Sequence, residues 1–435
     1  MDDTPQEYGP KTNAFATLRD AIYIHKLPSY ANRIFYGLGF LTLTALSLLV
    51  VSGAILAFMG QQWWLHTALG VYARSVHLWS VQAFIALLII HMLVGFTTSA
   101  FKPPRRMVWV FGALILSLSM FQTEFGYGLR GDFSSQFRAV SGADFWNGAY
   151  LGYLINPLSR FQEFAIHIVM IPLAILALFL LHFILIKTYG ISKPYRDDIK
   201  VRMVPADHRI MFIRGGVLAV AVLILAFFFH SPYVPATTIA GEMQQNASLV
   251  SDTLQQEYDH TSDTATYLDS IDPYTFDTRS VFVLKPYYAL VGGPATTSAD
   301  MIAALVPSIQ SGAYEATLDA EDPAPDTYSL RFLNDMGVLE DKAGTLGFST
   351  AQMGMARDEN GGLTLPPGSW WFLPLGILNQ TFDLPDNPNG DRIAAETFAA
   401  VLLLFIAFPY IPYLNRIPEF LRIAPYLWKD PEERA

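Results

Sequence analysis

Six stretches of about 20 apolar residues, at roughly 34–58, 77–99, 107–125, 164–187, 211–230 and 394–414, restrict this chain more than any other feature in it. At about 1.5 Å of rise per residue, each is long enough as a helix to cross a ~30 Å hydrocarbon layer. Helices also satisfy their own backbone hydrogen bonds there, which lipid cannot do for them. The expected fold class is therefore an all-α membrane protein. Composition agrees, since 52% of the 435 residues are hydrophobic and 15% charged, where a soluble domain averages about 25% charged. The opening MDDTPQEYGPKTNAF has neither the basic nor the apolar region of a cleaved signal. Residues 14–26 read as a short helix lying on the membrane before Pro28.

Lys and Arg near span ends are retained on the cytoplasmic side, and their distribution sets an orientation. Lys102, Arg105 and Arg106 lie between the second and third spans. Lys187, Lys193, Arg196, Lys200, Arg202 and Arg209 lie between the fourth and fifth, and Arg416, Arg422, Lys429 and Arg434 in the tail. The alternate connections are poor in both residues, so the two termini are expected in the cytoplasm. The long connection 231–391 carries 22 acidic against 5 basic residues, a net −17, leaving 16 acidic against 23 basic elsewhere. A cationic membrane core thus carries an acidic exported insert, expected as a small α+β unit. The overall net charge of −10 argues against a nucleic-acid partner. The absence of cysteine excludes disulfides, thiolate metal sites and thioether-linked haem. Any metal must use His, Met, carboxylate or carbonyl ligands.

Four of nine histidines fall inside or at the edge of apolar spans: His77 and His91 in the second, His167 and His182 in the fourth. Fourteen helical residues rise about 21 Å and return to within about 40° of the starting face, and fifteen to within about 60°. Each span therefore offers two imidazoles on roughly one face, near opposite membrane surfaces. Ionisable groups inside a span are costly and mark function. With one helix between them, the second and fourth spans run in the same direction, which sets His77 level with His167 and His91 level with His182. Two bis-histidine haems stacked across the membrane are the expected result. Gly39 and Gly53 on the first span, and Gly112 and Gly126 on the third, share the 14-residue spacing and leave room for a flat porphyrin. Tight helix packing would account for such glycines as well. Arg74 is expected to meet the carboxylates of the outer haem and Arg105 those of the inner one, although an interfacial anchor would also place an arginine at either position.

Several motifs resemble the cytochrome b subunit of Rieske/cytochrome b complexes, the quinol:cytochrome c and plastoquinol:plastocyanin oxidoreductases, and most of all their chloroplast-type branch. They are RIFYGLGFLTLT at 33–44, RSVHLWS at 74–80, FKPPRRMVWVFG at 101–112, FGYGLRGD at 125–132 and HFILIKTYGISKP at 182–194. The His167 to His182 interval, with Pro172 five residues after the first, is similar to that branch too. Nearer the C-terminus, PPGSWWFLPLG at 366–376 and PYLNRIPEFLRI at 412–423 resemble the family's Pro-Glu-Trp-Tyr segment and the region after its next helix. The chain departs from the family at three places. Gly368, Ser369, Trp370 and Trp371 stand where Pro-Glu-Trp-Tyr is expected; Leu129, Arg130 and Gly131 replace Leu-Pro-Trp; and Gly37 stands where a cysteine anchors an extra c-type haem.

The resemblance implies a di-haem four-helix bundle over 31–200, after an N-terminal segment 1–30. A fifth transmembrane helix comes next at 201–230, then the insert at 231–365, a quinol-site-like loop at 366–391, a sixth helix at 392–414 and a cytoplasmic tail at 415–435. It implies two non-covalent b-type haems, quinone or quinol as substrate, a Rieske iron–sulfur protein or cytochrome c type subunit as partner, and a homodimer in a bacterial-type inner membrane. Quinol would react beside Ser369, Trp370 and Trp371, with Asp132, Glu124, Glu163 or water as proton acceptor in place of the family's glutamate. Asp20, His25, Arg33 and Lys187 are candidates for a cytoplasmic-side quinone site. The competing reading is a membrane anchor for another redox complex, with the outer quinol site lost.

Overall fold

The computed structural model describes residues 26–28, 33–191, 203–268, 277–294, 297–321, 327–347, 366–384, 387 and 389–423. Six helices among these residues are long and apolar enough to cross a membrane. They are α1 (Leu38–Met59), then, after the short α2 (Gln61–His66), α3 (Ala68–Thr97) and α4 (Arg106–Gly128); after the amphipathic α5 (Phe133–Gly148), α6 (Arg160–Tyr189) and α7 (His208–Phe228); and finally Gly390–Tyr410. The expected interfacial helix over 14–26 lies outside the described residues, apart from Lys26.

Most spans begin earlier than their apolar runs suggest, and for two of them the cap shows why. Helix α3 starts at Ala68 because the Thr67 side chain accepts the Gly70 amide, and α6 starts at Arg160 because Ser159 caps the Gln162 amide. Arg74 and Ser75 interrupt the apolar run of α3, yet both are buried against protein. Hydropathy alone stops at such residues; a capped helix does not.

Helix α1 packs along α3, α4 along α6, and α7 against both α1 and α3. The bundle interior combines Ala45, Phe84, Ile85 and Leu88 with Ile115, Phe125, Ile171 and Ile175. Lys26–Pro28 and Met203–Pro205 pair as two short antiparallel strands, with Leu27 opposite Val204.

The insert departs from the expected α+β unit, because its described residues are helical and both short strands lie outside it. In order come α8 (Ile239–Gln245), α9 (Ala247–Asp259), α10 (Asp263–Leu268), α11 (Lys285–Leu290), α12 (Ser298–Gln310), α13 (Ala313–Glu321), α14 (Thr327–Asp335) and α15 (Val338–Thr345). The sequence contains the reason: Val250 and Leu254 recur at helical spacing, as do Met301, Leu305 and Ile309, and all are buried. Their core continues into Phe133 and Phe137 of α5. Gln136 and Thr237 exchange two hydrogen bonds at 2.7 and 2.8 Å, and the Lys342 ammonium sits 4.5 Å from the Phe133 ring centre. Helix α16 (Leu373–Thr381) precedes the last span, α17 (Gly390–Tyr410), which packs on α5 and α4. The insert is thereby joined to the bundle through α5.

Inside this core, Glu257 is fully buried and accepts a 2.7 Å bond from the Ser262 hydroxyl, while Asp335 accepts the Thr264 amide at 2.8 Å. Burial, reinforced by the neighbouring Asp335, pushes the Glu257 carboxyl from its ordinary 4.5 up to about 9. The folded insert therefore holds a proton that the unfolded chain releases. The stability this proton confers is complete below about pH 4.5 and is lost as pH rises through about 9. Calorimetry of the full chain between pH 5 and 9 is expected to show the insert's transition falling with pH. In Glu257→Gln, which stays neutral throughout, the decline is expected to flatten.

Candidate functional site

His77 on α3 and His167 on α6 face one another, with ring centroids 6.4 Å apart and ring planes at 74°. An imidazole nitrogen binds a metal at about 2 Å, with the ring centre about 1 Å further back, so a metal between two opposed rings separates their centres by about 6 Å. The observed spacing fits one metal atom. His91 and His182 interact electrostatically with each other further along the same two helices.

Three of the four rings are held by their other nitrogen. His77 Nδ1 lies 2.9 Å from the Ser52 hydroxyl, His167 Nδ1 donates to the Gln122 carbonyl at 2.8 Å, and His182 Nδ1 donates to the Val108 carbonyl at 2.9 Å. A proton committed to a carbonyl at Nδ1 leaves the Nε2 lone pair for a metal. Cysteine is absent, and among the described residues no group of three or more His, Asp or Glu side chains could hold an ion. Two opposed imidazoles would fill two positions of such a metal and leave the others to further ligands, which a planar tetradentate macrocycle can supply.

The unequal intervals, 14 residues on α3 and 15 on α6, have a local explanation. Residues Ile166–Met170 form a π turn, with the Ile171 amide donating to the Ile166 carbonyl. Such a turn accommodates one extra residue with little change of helical register. His167 and His182 therefore share a face about as well as His77 and His91 do.

Each of the four glycines lies beside one of these rings. A Cβ on Gly126 would fall 2.6 Å from His167 Cε1, and one on Gly53 would fall 3.1 Å from His77 Cε1. At Gly39 and Gly112 the corresponding distances to His91 and His182 are 3.6 and 3.5 Å, which are ordinary contacts. Glycine is thus required most strictly at Gly126, and there it makes room for the imidazole itself.

A cavity of about 310 Å³ opens between the first pair of rings and one end of the bundle. Its walls include Gly53, His77, Gly126 and His167, and its polar rim carries Arg74, Arg130 and Arg160. The Arg74 guanidinium donates to the Ser231 carbonyl at 3.0 Å and lies over Trp64 and Tyr233. Arg160 bonds Gln61, and Arg130 pairs with Asp132 at 2.6 Å. Three cations around one opening suit an anionic group. Arg130 and Arg160 are not among the candidates drawn from sequence; Arg130 was visible only as a departure from a motif, and Arg160 only as a charge at a span edge. Arg105 lies at the other end, where it donates to the carbonyls of Tyr189, Gly190 and Ile191 and so caps the C-terminus of α6.

Of the candidate carboxylates, Asp132 is fully buried, caps α5 through the Ser135 amide at 3.1 Å and pairs with Arg130. Both Glu124 oxygens accept from Arg138 at 3.0 Å. Buried Glu163 lies one helical turn before His167 and packs its carboxylate on Gly128. Trp370 Nε1 donates to Gln82 at 2.8 Å, Trp371 Nε1 donates to Thr123 at 3.2 Å, and Gln82 in turn bonds the carbonyls of Pro367 and Gly368. The segment is thus fastened to α3 five residues after His77 and to α4 three before Gly126. Ser369 is fully buried there, and its hydroxyl has no partner among the described residues. Of the four residues expected at a second quinone site, Asp20 and His25 lie outside the described residues, Arg33 precedes a short turn, and Lys187 lies 5.9 Å from the Phe183 ring centre.

Residues 82–238 match a family profile described as cytochrome b(N-terminal)/b6/petB. Over 194 residues the chain is 33% identical to cytochrome b6 of Heliobacterium modesticaldum, an alignment that covers 39% of this chain and 90% of that protein. It is 34% identical over 201 residues to the cytochrome bc1 complex cytochrome b subunit of Mycobacterium leprae, covering 40% of this chain and 36% of that one. A solved structure, Hyperthermophilic respiratory Complex III, aligns with 93% of this chain and 98% of its own, at 17% identity and a TM-score of 0.42.

Gly126→Ala is expected to displace the His167 ring and destabilise the bundle by about 1–3 kcal/mol. Gly95→Ala, whose Cβ would meet nothing within 4 Å, is the neutral comparison. Thermal unfolding of both variants in detergent checks the difference.

Proposed function

Because the chain belongs to the cytochrome b family of Complex III- and b6f-type electron transfer, as a multi-pass membrane protein, we propose that it carries electrons across the bilayer between two bis-histidine sites. The family implies haem b, which when bound supplies one-electron redox chemistry. His77 and His167 hold the iron of one haem, and His91 and His182 that of the other. The 6.4 Å separation of the first two rings carries this reading. About 21 Å of helix lies between the two levels, so each pair serves one side of the membrane.

The rest of the chain supports these pairs. Gly39, Gly53, Gly112 and Gly126 keep the helix faces open beside the rings. Arg74, Arg130 and Arg160 neutralise the carboxylates of the first haem, and Arg105 stands near the second. The positive-inside distribution supports a topology with His91, His182 and both termini on the cytoplasmic side, and with the acidic insert on the outer side. The bundle at 31–200 is the electron-transfer unit, and the insert at 231–365 is built onto its outer face. A Rieske or cytochrome c type subunit is the partner, in a dimeric complex of a bacterial-type inner membrane.

At the outer level a quinol binds against Trp370 and Trp371, whose ring nitrogens are already engaged by Gln82 and Thr123. Ser369 cannot accept the proton as a carboxylate would. Asp132 and Glu124 are tied to Arg130 and Arg138, so the proton goes to Glu163 or to water, and the Glu163 variant below tells the two apart. Arg33 and Lys187 are assigned to a cytoplasmic-side quinone site; Asp20 and His25, named for it from the sequence, lie outside the described residues. The replacement of the family's glutamate by Ser369 favours a second reading, an electron-conducting or anchoring subunit without quinol chemistry at the outer level.

A reduced-minus-oxidised spectrum of the purified chain is expected to show two b haems. His91→Ala or His182→Ala should remove only one of them, with the other retained in a folded protein. Two haems with quinol-dependent reduction that Glu163→Gln slows at least tenfold support the first reading. Two haems that quinol never reduces from the outer side support the second in its electron-conducting form, and no haem at all refutes the first and leaves only the anchoring subunit.

A further inference from the structure

Gln122 lies on α4 one turn before Gly126 and makes two reciprocal bonds to one residue of α6. Its backbone carbonyl accepts the His167 Nδ1 proton at 2.8 Å, and its side-chain Nε2 donates to the His167 backbone carbonyl at 2.6 Å. That carbonyl needs a donor from outside its own helix. The Ile171 amide, which an α-helical turn would direct to it, is committed to Ile166. In the π register the next donor would come from position 172, which is a proline without an N–H. A carbonyl left without a partner inside a bilayer is strongly unfavourable.

Packing does not explain a glutamine here. Its Oε1 is buried with no hydrogen-bond partner among the described residues, and an apolar side chain of the same size would fill the space without desolvating an amide. The bond to His167 does explain it, and it also fixes the amide's orientation, because the opposite flip would set two acceptors against each other. His182 has no counterpart: its Nδ1 rests on the carbonyl of Val108, whose side chain has nothing to donate.

We propose that Gln122 is a positioning residue for His167, stabilising the π turn created with Pro172 and thereby the aim of the imidazole and its Nδ1 hydrogen bond. This rests on the reading of His77 and His167 as an axial pair. A firm Nδ1–H···O bond makes the ring a better donor to ferric iron and lowers the potential of that site.

The test is a redox titration, with low-temperature electron paramagnetic resonance, of the full chain carrying its haems. Gln122→Met, which is similar in length and has no donor, is expected to raise the potential at His77/His167 by a tenfold change in the oxidised-to-reduced ratio, about 59 mV for one electron. The low-spin ferric signal of that site should broaden, and the haem at His91/His182 should stay unchanged. Selective loss of the His77/His167 haem in this variant supports the proposal equally. An unshifted potential with an unbroadened signal overturns it. Loss of both haems together also overturns it, because Gln122 would then hold the bundle and not one ligand. His167→Ala separates this inference from the reading beneath it. If that variant keeps both haems, the axial assignment itself fails; if it loses one while Gln122→Met is unaltered, only the role of Gln122 fails.

Discussion

The arrangement depends on backbone satisfaction in a solvent that offers no hydrogen bonds. A bilayer confines the chain to helices, and helices in turn impose the period at which side chains meet. Two imidazoles per helix, on two helices packed against glycine-bearing neighbours, are what that period allows without opening the backbone. The π turn at Ile166–Met170 is the visible deviation in α6, and it stands where a 15-residue interval must match a 14-residue one. Pro172 comes immediately after, and a side chain from the adjacent helix supplies the hydrogen bond that the two together leave unmade.

Among the described residues, the end of the bundle beside His77 and His167 is built with more polar detail than the end beside His91 and His182. Arg74, Arg130 and Arg160 border one cavity, and each is bound to a carbonyl, a carboxylate or an amide that limits its movement. Trp370 and Trp371 are fastened through their ring nitrogens to the helices that carry His77 and Gly126. Helix α5, capped by Asp132, shares its apolar face with the insert. An insert that reads in the sequence as a separate acidic unit is in this way continuous with the region around the first pair of histidines.

The sequence by itself determined that there are six spans, and it marked the four histidines and four glycines as candidates, because each depends on a periodicity along one helix or on a composition the bilayer requires. Trp370 and Trp371 were legible as candidates through resemblance alone. Their partners Gln82 and Thr123 were not, since they lie about 290 and 250 positions away in the chain and no local pattern links them. Asp132 looked like a base and is placed as a helix cap and ion-pair partner, a choice that turns on whether Arg130 folds back toward it. The helical character of the insert was present in the spacing of Met301, Leu305 and Ile309, but short apolar patches fit strand and helix alike until their neighbours are known. The tertiary structure decided which of the four glycines sits tightest against its imidazole, which carboxylates are already paired and which carbonyl Gln122 serves. Apart from the Arg130–Asp132 pair, which lies within one connection, each of these is a distance between groups on different helices, and a one-dimensional pattern has no term for it.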